Sequence, residues 1–213
     1  MSGSIHDPDV ALTDLGLALL GGYLGWRLWT AAGRGAMAKQ GAVVMWALAS
    51  AAFWGAVFHA FFPAGTRTSS GFLAWVPVVL SILVVAGALL DLGLRVSAPR
   101  LPRPGRRAIV ATYAAAFASV TLLVDASYSV IVRFYAPVLV LFLVAAGVQA
   151  VRSRSAGWTL IAISFAISLV AAALQQARVA LHAEYFDHNA VYHVLQGVAL
   201  VLMYRGFRAV PAA

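Results

Sequence analysis

His59, His188 and His193 are the residues of this chain best suited to chemistry. Three imidazoles from two segments, completed by a carboxylate or water, form a donor set for a catalytic Zn²⁺ with an open position. His188 and His193 lie in Asp187-His188-Asn189-Ala190-Val191-Tyr192-His193-Val194-Leu195-Gln196, where the last apolar segment opens. Asn189 and His193 are four apart and share a helical face, and Gln196 follows one turn on. His188 stands about 140° from His193 on an ideal helix, so it joins His193 only if the helix starts at Asn189 or its first turn is irregular. Asp187 is the expected N-cap of that turn. In a zinc site it would orient a ligand or act as general base. Asn189, Tyr192 or Gln196 would then hold a substrate carbonyl. The preceding segment carries a second polar stripe of Ser164, Ser168, Gln175, Arg178 and His182, expected to face the bundle interior, with Glu184 or Asp187 as partner for Arg178. Arg133, beside Asp125, is expected as a second buried or interfacial cation.

Each of these residues also has a plainer reading. A lone interfacial His or Tyr usually anchors a helix at headgroup level. Ser and Gln stripes usually hold helices together. The case for a site rests on clustering: His6, His59, His182, His188 and His193 all fall at one end of the apolar segments although they span the whole chain. His59 lies about 4.5 Å inside its helix end and His193 about 7.5 Å beyond His188.

Composition sets the environment that must position them. Of the 213 residues 62% are hydrophobic and only 10% are charged, with a mean hydropathy of +0.88. Soluble domains carry about 25% charged residues. The expectation is therefore an all-α integral membrane protein, one domain over residues 1–213. Without cysteine, disulfides, thiol nucleophiles and thiolate metal sites are excluded.

Seven apolar runs are expected as spans: Val10–Ala32, Gly41–Phe62, Gly71–Leu94, Ala108–Val124, Tyr128–Val151, Gly157–Leu181 and His188–Phe207. The start Met1–Val10 has no basic residue, so the first run reads as a retained span and not a cleaved signal. Pro99, Pro102, Pro104 and Gly105 are expected to hold the longest loop open, and Pro137 to kink the fifth span. Of the 15 basic residues, all but Arg67, Arg133 and Arg178 fall on one set of alternate connections, while six of seven acidic residues fall on the other. The positive-inside rule then puts the N-terminus outside and the C-terminus in the cytoplasm. The formal charge of +8 is on this reading a topology device facing anionic headgroups, and nucleic acid is not an expected partner.

The pattern His-Asn-x-x-Tyr-His-x-x-Gln on the last span, with Phe58-His59 on the second, resembles an uncharacterised group of bacterial seven-span proteins. It is similar to the CREST superfamily of membrane hydrolases and receptors. That superfamily contains alkaline ceramidases, adiponectin and progestin receptors, and hemolysin-III-like proteins. The resemblance implies a seven-helix bundle holding zinc through one His on the second span and two on the seventh. Carried over, the ligands fall on His59 and His193, with His188 or Asn189 in the third place. Where that family has Ser four residues before its second-span His, this chain has Gly55, and it lacks the family's Asp early in the third span.

The leading expectation is a zinc-dependent hydrolase acting on a membrane lipid amide or ester, in a bacterial cytoplasmic membrane. The alternatives are a non-enzymatic receptor, sensor or ligand-binding protein, and a haem protein with His59 and His193 as axial ligands. A retinal Schiff base is disfavoured because the only lysine, Lys39, reads as a loop residue. No inverted repeat points to a transporter.

Overall fold

The computed structural model describes residues 5–31, 35–182 and 186–210. Arg34, one of the basic residues of the connections expected inside, and Glu184, a candidate partner for Arg178, lie outside the described residues. Seven α-helices account for nearly all the rest: α1 Pro8–Thr30, α2 Ala36–Phe61, α3 Ser69–Ser97, α4 Arg103–Leu123, α5 Tyr128–Ser153, α6 Ala156–Gln176 and α7 His188–Ala209. α2 to α7 are each long and apolar enough to cross a membrane. α1, which carries Asp9, Asp14 and Arg27, is not among these six. Large aliphatic side chains stand on the outside of the bundle, with Leu19 and Leu73 both 68% exposed and Val144 57% exposed. In water such a surface would be an aggregation liability, whereas hydrocarbon solvates it without cost.

Local chemistry sets most helix ends. Thr68 Oγ1 accepts from the Gly71 amide at 3.2 Å and starts α3. The backbone there is very tight: a Cβ on Gly71 would come within 2.0 Å of the Gly65 carbonyl oxygen. α4 begins five residues before the expected Ala108. Pro104 sits in its first turn, where a missing N–H costs nothing because those donors are unpaired anyway. Pro77 and Pro137 stand inside α3 and α5, which both continue past them. Lys39, expected in a loop, lies in the first turn of α2, with Nζ 5.8 Å from the centre of the Trp29 ring.

α6 stops five residues earlier than the hydrophobic run suggests. The Arg178 amide donates to Gln175 O at 3.0 Å and the Val179 amide to Leu174 O at 3.0 Å, while Arg178 takes φ 54. These are the paired bonds of a Schellman ending, with arginine where glycine is usual.

α1 packs on α2 and α7, α6 on α5 and α7, and α3 on α2, α4 and α5. Gly157 and Gly206 let α6 and α7 touch: a Cβ on Gly157 would lie 2.8 Å from Val210 N, and one on Gly206 2.6 Å from Ile161 Cγ1. The central core holds Phe142 edge-on to Phe165 at 4.9 Å. α4 is the peripheral helix, burying only Phe117 and Thr121. At the end where α1 finishes, Asp91 accepts from Gln40 at 3.0 Å and pairs with Arg95 at 2.6 Å and with Arg106, joining α2, α3 and α4. This network ties down Asp91, the one side-chain carboxylate at the basic end among the described residues.

Candidate functional site

The polar centre of the bundle is His193, which α7 presents inward one face-turn below Asn189. Its Nε2 lies 3.1 Å from Asp14 Oδ1 on α1. Its Nδ1 lies 2.9 Å from Thr13 Oγ1. Both partners of the pair are buried, their side chains only 9% and 8% exposed. Thr13 also donates to the Asp9 and Val10 carbonyls at 2.8 and 3.0 Å. With the hydroxyl proton on those carbonyls, Nδ1 donates to Thr13, and a single proton is shared between Nε2 and Asp14; this assignment follows from the contacts. Gly55 makes room for the pair: a Cβ there would meet Asp14 Oδ2 at 2.8 Å.

A second polar chain runs across α5, α6 and α7. Tyr128 Oη donates to Gln175 Oε1 at 3.0 Å, and Gln175 Nε2 donates to Asn189 Oδ1 at 2.9 Å. Asn189 Nδ2 donates to Asp187 Oδ2 at 3.0 Å. The other Asp187 oxygen accepts the Asn189 and Ala190 amides at 2.8 and 2.9 Å, so Asp187 is the cap of α7. Two turns deeper, Ser168 Oγ donates to Gln196 Oε1 at 2.9 Å.

Asp14, His193, Tyr128, Gln175, Asn189 and Gln196 face a cavity of about 460 Å³. Its polar flank is Asp14, His59, Tyr128, Gln175, Asn189, Tyr192, His193 and Gln196. Its apolar lining comes mostly from α2, α3 and α5, with Phe58, Trp75, Val78, Ile82 and Ile131 among its residues, and includes Leu17 of α1 and Leu200 of α7. Trp75 is held by a 2.8 Å bond from Nε1 to Ala126 O. α4 contributes nothing to this wall.

Of the residues singled out in the sequence, His59, Gln175, Asn189, Tyr192, His193 and Gln196 all line this one cavity. Others do not. Asp187 and His188 are not in its wall, and His188 Nδ1 lies 3.5 Å from Asp187 Oδ2. Arg178 and His182 fall beyond the end of α6 and are exposed, so the expected stripe stops at Gln175. His182 instead bridges Phe186 through backbone bonds. Arg133 is exposed and not buried.

A zinc ion does not fit these donors. Among the described residues no three His, Cys, Asp or Glu side chains gather closely enough to hold a metal. Both nitrogens of His193 are already engaged, and His59 Nδ1 lies 3.5 Å from Asp7 Oδ2. The same engagement of His193 argues against a bis-histidine haem.

Asp14 and Thr13 were missed in the sequence, where Asp14 counted only as a flanking negative charge. The available signal was its depth, about 9 Å into α1 at 1.5 Å per residue, where a carboxylate needs a partner.

The fold and site define an all-α membrane-type helix bundle with a polar-walled cavity near one end. Over residues 10–212 the chain matches a family of unknown function, DUF6962, and it belongs to that family. No curated protein and no solved structure matches it.

Proposed function

We propose that this is a seven-span membrane protein, with α1 as the additional span, that binds a small amphiphilic molecule in the cavity at its outer end. The observation that carries the reading is the mixed polar and apolar lining of the 460 Å³ cavity. That volume lies in the range of small-molecule sites, roughly 300–1,000 Å³, in which apolar surface supplies affinity and a few polar groups fix orientation. A ligand head would pair with Gln175, Asn189, Gln196 and the Asp14–His193 pair. Its apolar part would lie against Trp75, Ile82 and Ile131. The charge asymmetry of the connections supports an outward N-terminus and a cytoplasmic C-terminus; a bacterial cytoplasmic membrane is part of the proposal. The role is that of a receptor, sensor or carrier of such a molecule.

Trp75 in the wall supplies the assay. A brominated fatty amide titrated into purified protein should quench tryptophan fluorescence saturably, and Ala52→Phe, which fills the cavity, should abolish the saturable part. An unsaturable signal, or one unchanged in Ala52→Phe, rejects the reading.

Hydrolysis of a lipid amide or ester is the second reading. A carboxyl group beside an imidazole at a cavity wall favours it. Against it, the imidazole has no free nitrogen, and the Thr13 hydroxyl is not in the cavity wall. Time-dependent release of fatty acid from the same amide, lost in His193→Ala, would raise this reading above the first.

A further inference from the structure

A second site lies at the opposite end of the bundle, independent of the cavity. α1 and α7 pack side by side and finish together there. Each carries a tyrosine followed four residues later by an arginine on the same face: Tyr23 and Arg27 on α1, Tyr204 and Arg208 on α7. Arg27 Nη1 donates to Tyr23 Oη at 2.7 Å, and Arg208 Nη1 to Tyr204 Oη at 3.2 Å. These four side chains, with Arg205, Leu24 and Ala209, line an open groove of about 570 Å³.

The chemistry of the groove is that of a phosphate receptor. A guanidinium has five N–H donors in a planar fork. At Arg27 the donor given to Tyr23 fixes the side chain in the groove and leaves others for anionic oxygens, where charge-assisted bonds are strongest. Among the described residues the groove wall contains three guanidiniums and no carboxylate. Arg95 and Arg106 at the same end are used differently, spent on Asp91 inside the bundle. Depth points to the source of the phosphate. Trp26 and Trp29, 53% and 45% exposed on α1, flank Arg27. Exposed tryptophans of a membrane helix settle at the headgroup level, where basic pockets between helices meet anionic lipid.

We infer that the groove between the ends of α1 and α7 binds the phosphate of an anionic phospholipid headgroup. The test is native mass spectrometry of the delipidated, detergent-solubilised protein with phosphatidylglycerol or phosphatidylcholine at equal concentration. The wild-type chain should bind phosphatidylglycerol preferentially. Arg27→Gln/Arg205→Gln should lose roughly 30-fold of that preference, from about fivefold per guanidinium removed near the membrane surface. Arg27→Lys/Arg205→Lys should keep most of it. Equal binding of the two lipids by wild type overturns the inference, and needs no variant to fold. So does a preference that survives in the Gln variant. Displacement of phosphatidylglycerol by millimolar inorganic phosphate would make this a free-anion site and overturn the lipid assignment.

Discussion

Removing one partner of the Asp14–His193 pair should cost much more than half the cost of removing both. The two side chains are 8% and 9% exposed and 3.1 Å apart, so a survivor loses its partner and regains water only on the side that faces the cavity. If the pair is ionised, deleting one member leaves a lone buried charge and costs about 3–5 kcal/mol. If one proton makes both neutral, the orphaned polar group still costs about 1–3 kcal/mol. For a chain of 213 residues each kcal/mol moves Tm by about 2–4 °C. Taking ~3 kcal/mol, Asp14→Ala and His193→Ala should each lower Tm by about 6–12 °C. The double variant has no orphan, and its loss should fall short of the summed single losses by at least ~1 kcal/mol. Asp14→Asn, which keeps shape and a donor for Nε2, should lose less than Asp14→Ala. The assay is thermal unfolding followed by tryptophan fluorescence, in one detergent and at one scan rate. Single losses under ~2 °C, or losses that simply add, would refute the idea that these residues form a coupled buried pair.

Four further outcomes are expected. Gly55→Ala puts a methyl 2.8 Å from Asp14 Oδ2 and should cost about 1–3 kcal/mol; the same change in an Asp14→Ala background should cost clearly less, as read by Tm. Gln175→Leu takes one partner each from Tyr128 Oη and Asn189 Oδ1, for about 1–3 kcal/mol and a weaker grip on the brominated amide; unchanged Tm and binding would contradict the polar chain. Because the chain has no cysteine, single cysteines at Ser127 and Arg100 can be labelled cleanly; a membrane-impermeant maleimide should reach the first from outside the cell and the second only after lysis, and labelling from one side would reject the proposed topology. Elemental analysis of purified protein should find no stoichiometric zinc, because His188 is turned to Asp187; zinc present in wild type and absent in His193→Ala would restore the metal reading.

Much of the architecture is legible in composition and periodicity. Apolar runs broken by proline, glycine and arginine place all seven helices, because a chain in hydrocarbon must satisfy its backbone within helices. The face shared by Asn189, His193 and Gln196 follows from helical geometry alone, as does Asp187 as a cap. Helix ends are less legible. α6 ends at a Schellman turn with Arg178 in the left-handed region, and no glycine marks it. That turn removes Arg178 and His182 from the interior.

Tertiary structure decided what surrounds His193. Residues 14 and 193 are far apart in sequence, and no pattern within either helix says that Asp14 meets an imidazole instead of solvent. The meeting depends on α1 packing beside α7 and on Gly55 of α2 leaving space for a carboxylate. Residue types and spacing therefore determined that this chain forms a helical bundle with polar groups at one end. Which of those groups touch, and the fact that their contacts leave no three donors for a metal among the described residues, was decided by how the helices pack, because side-chain pairing across a bundle is set by inter-helix register and close approach and not by the period of any one helix.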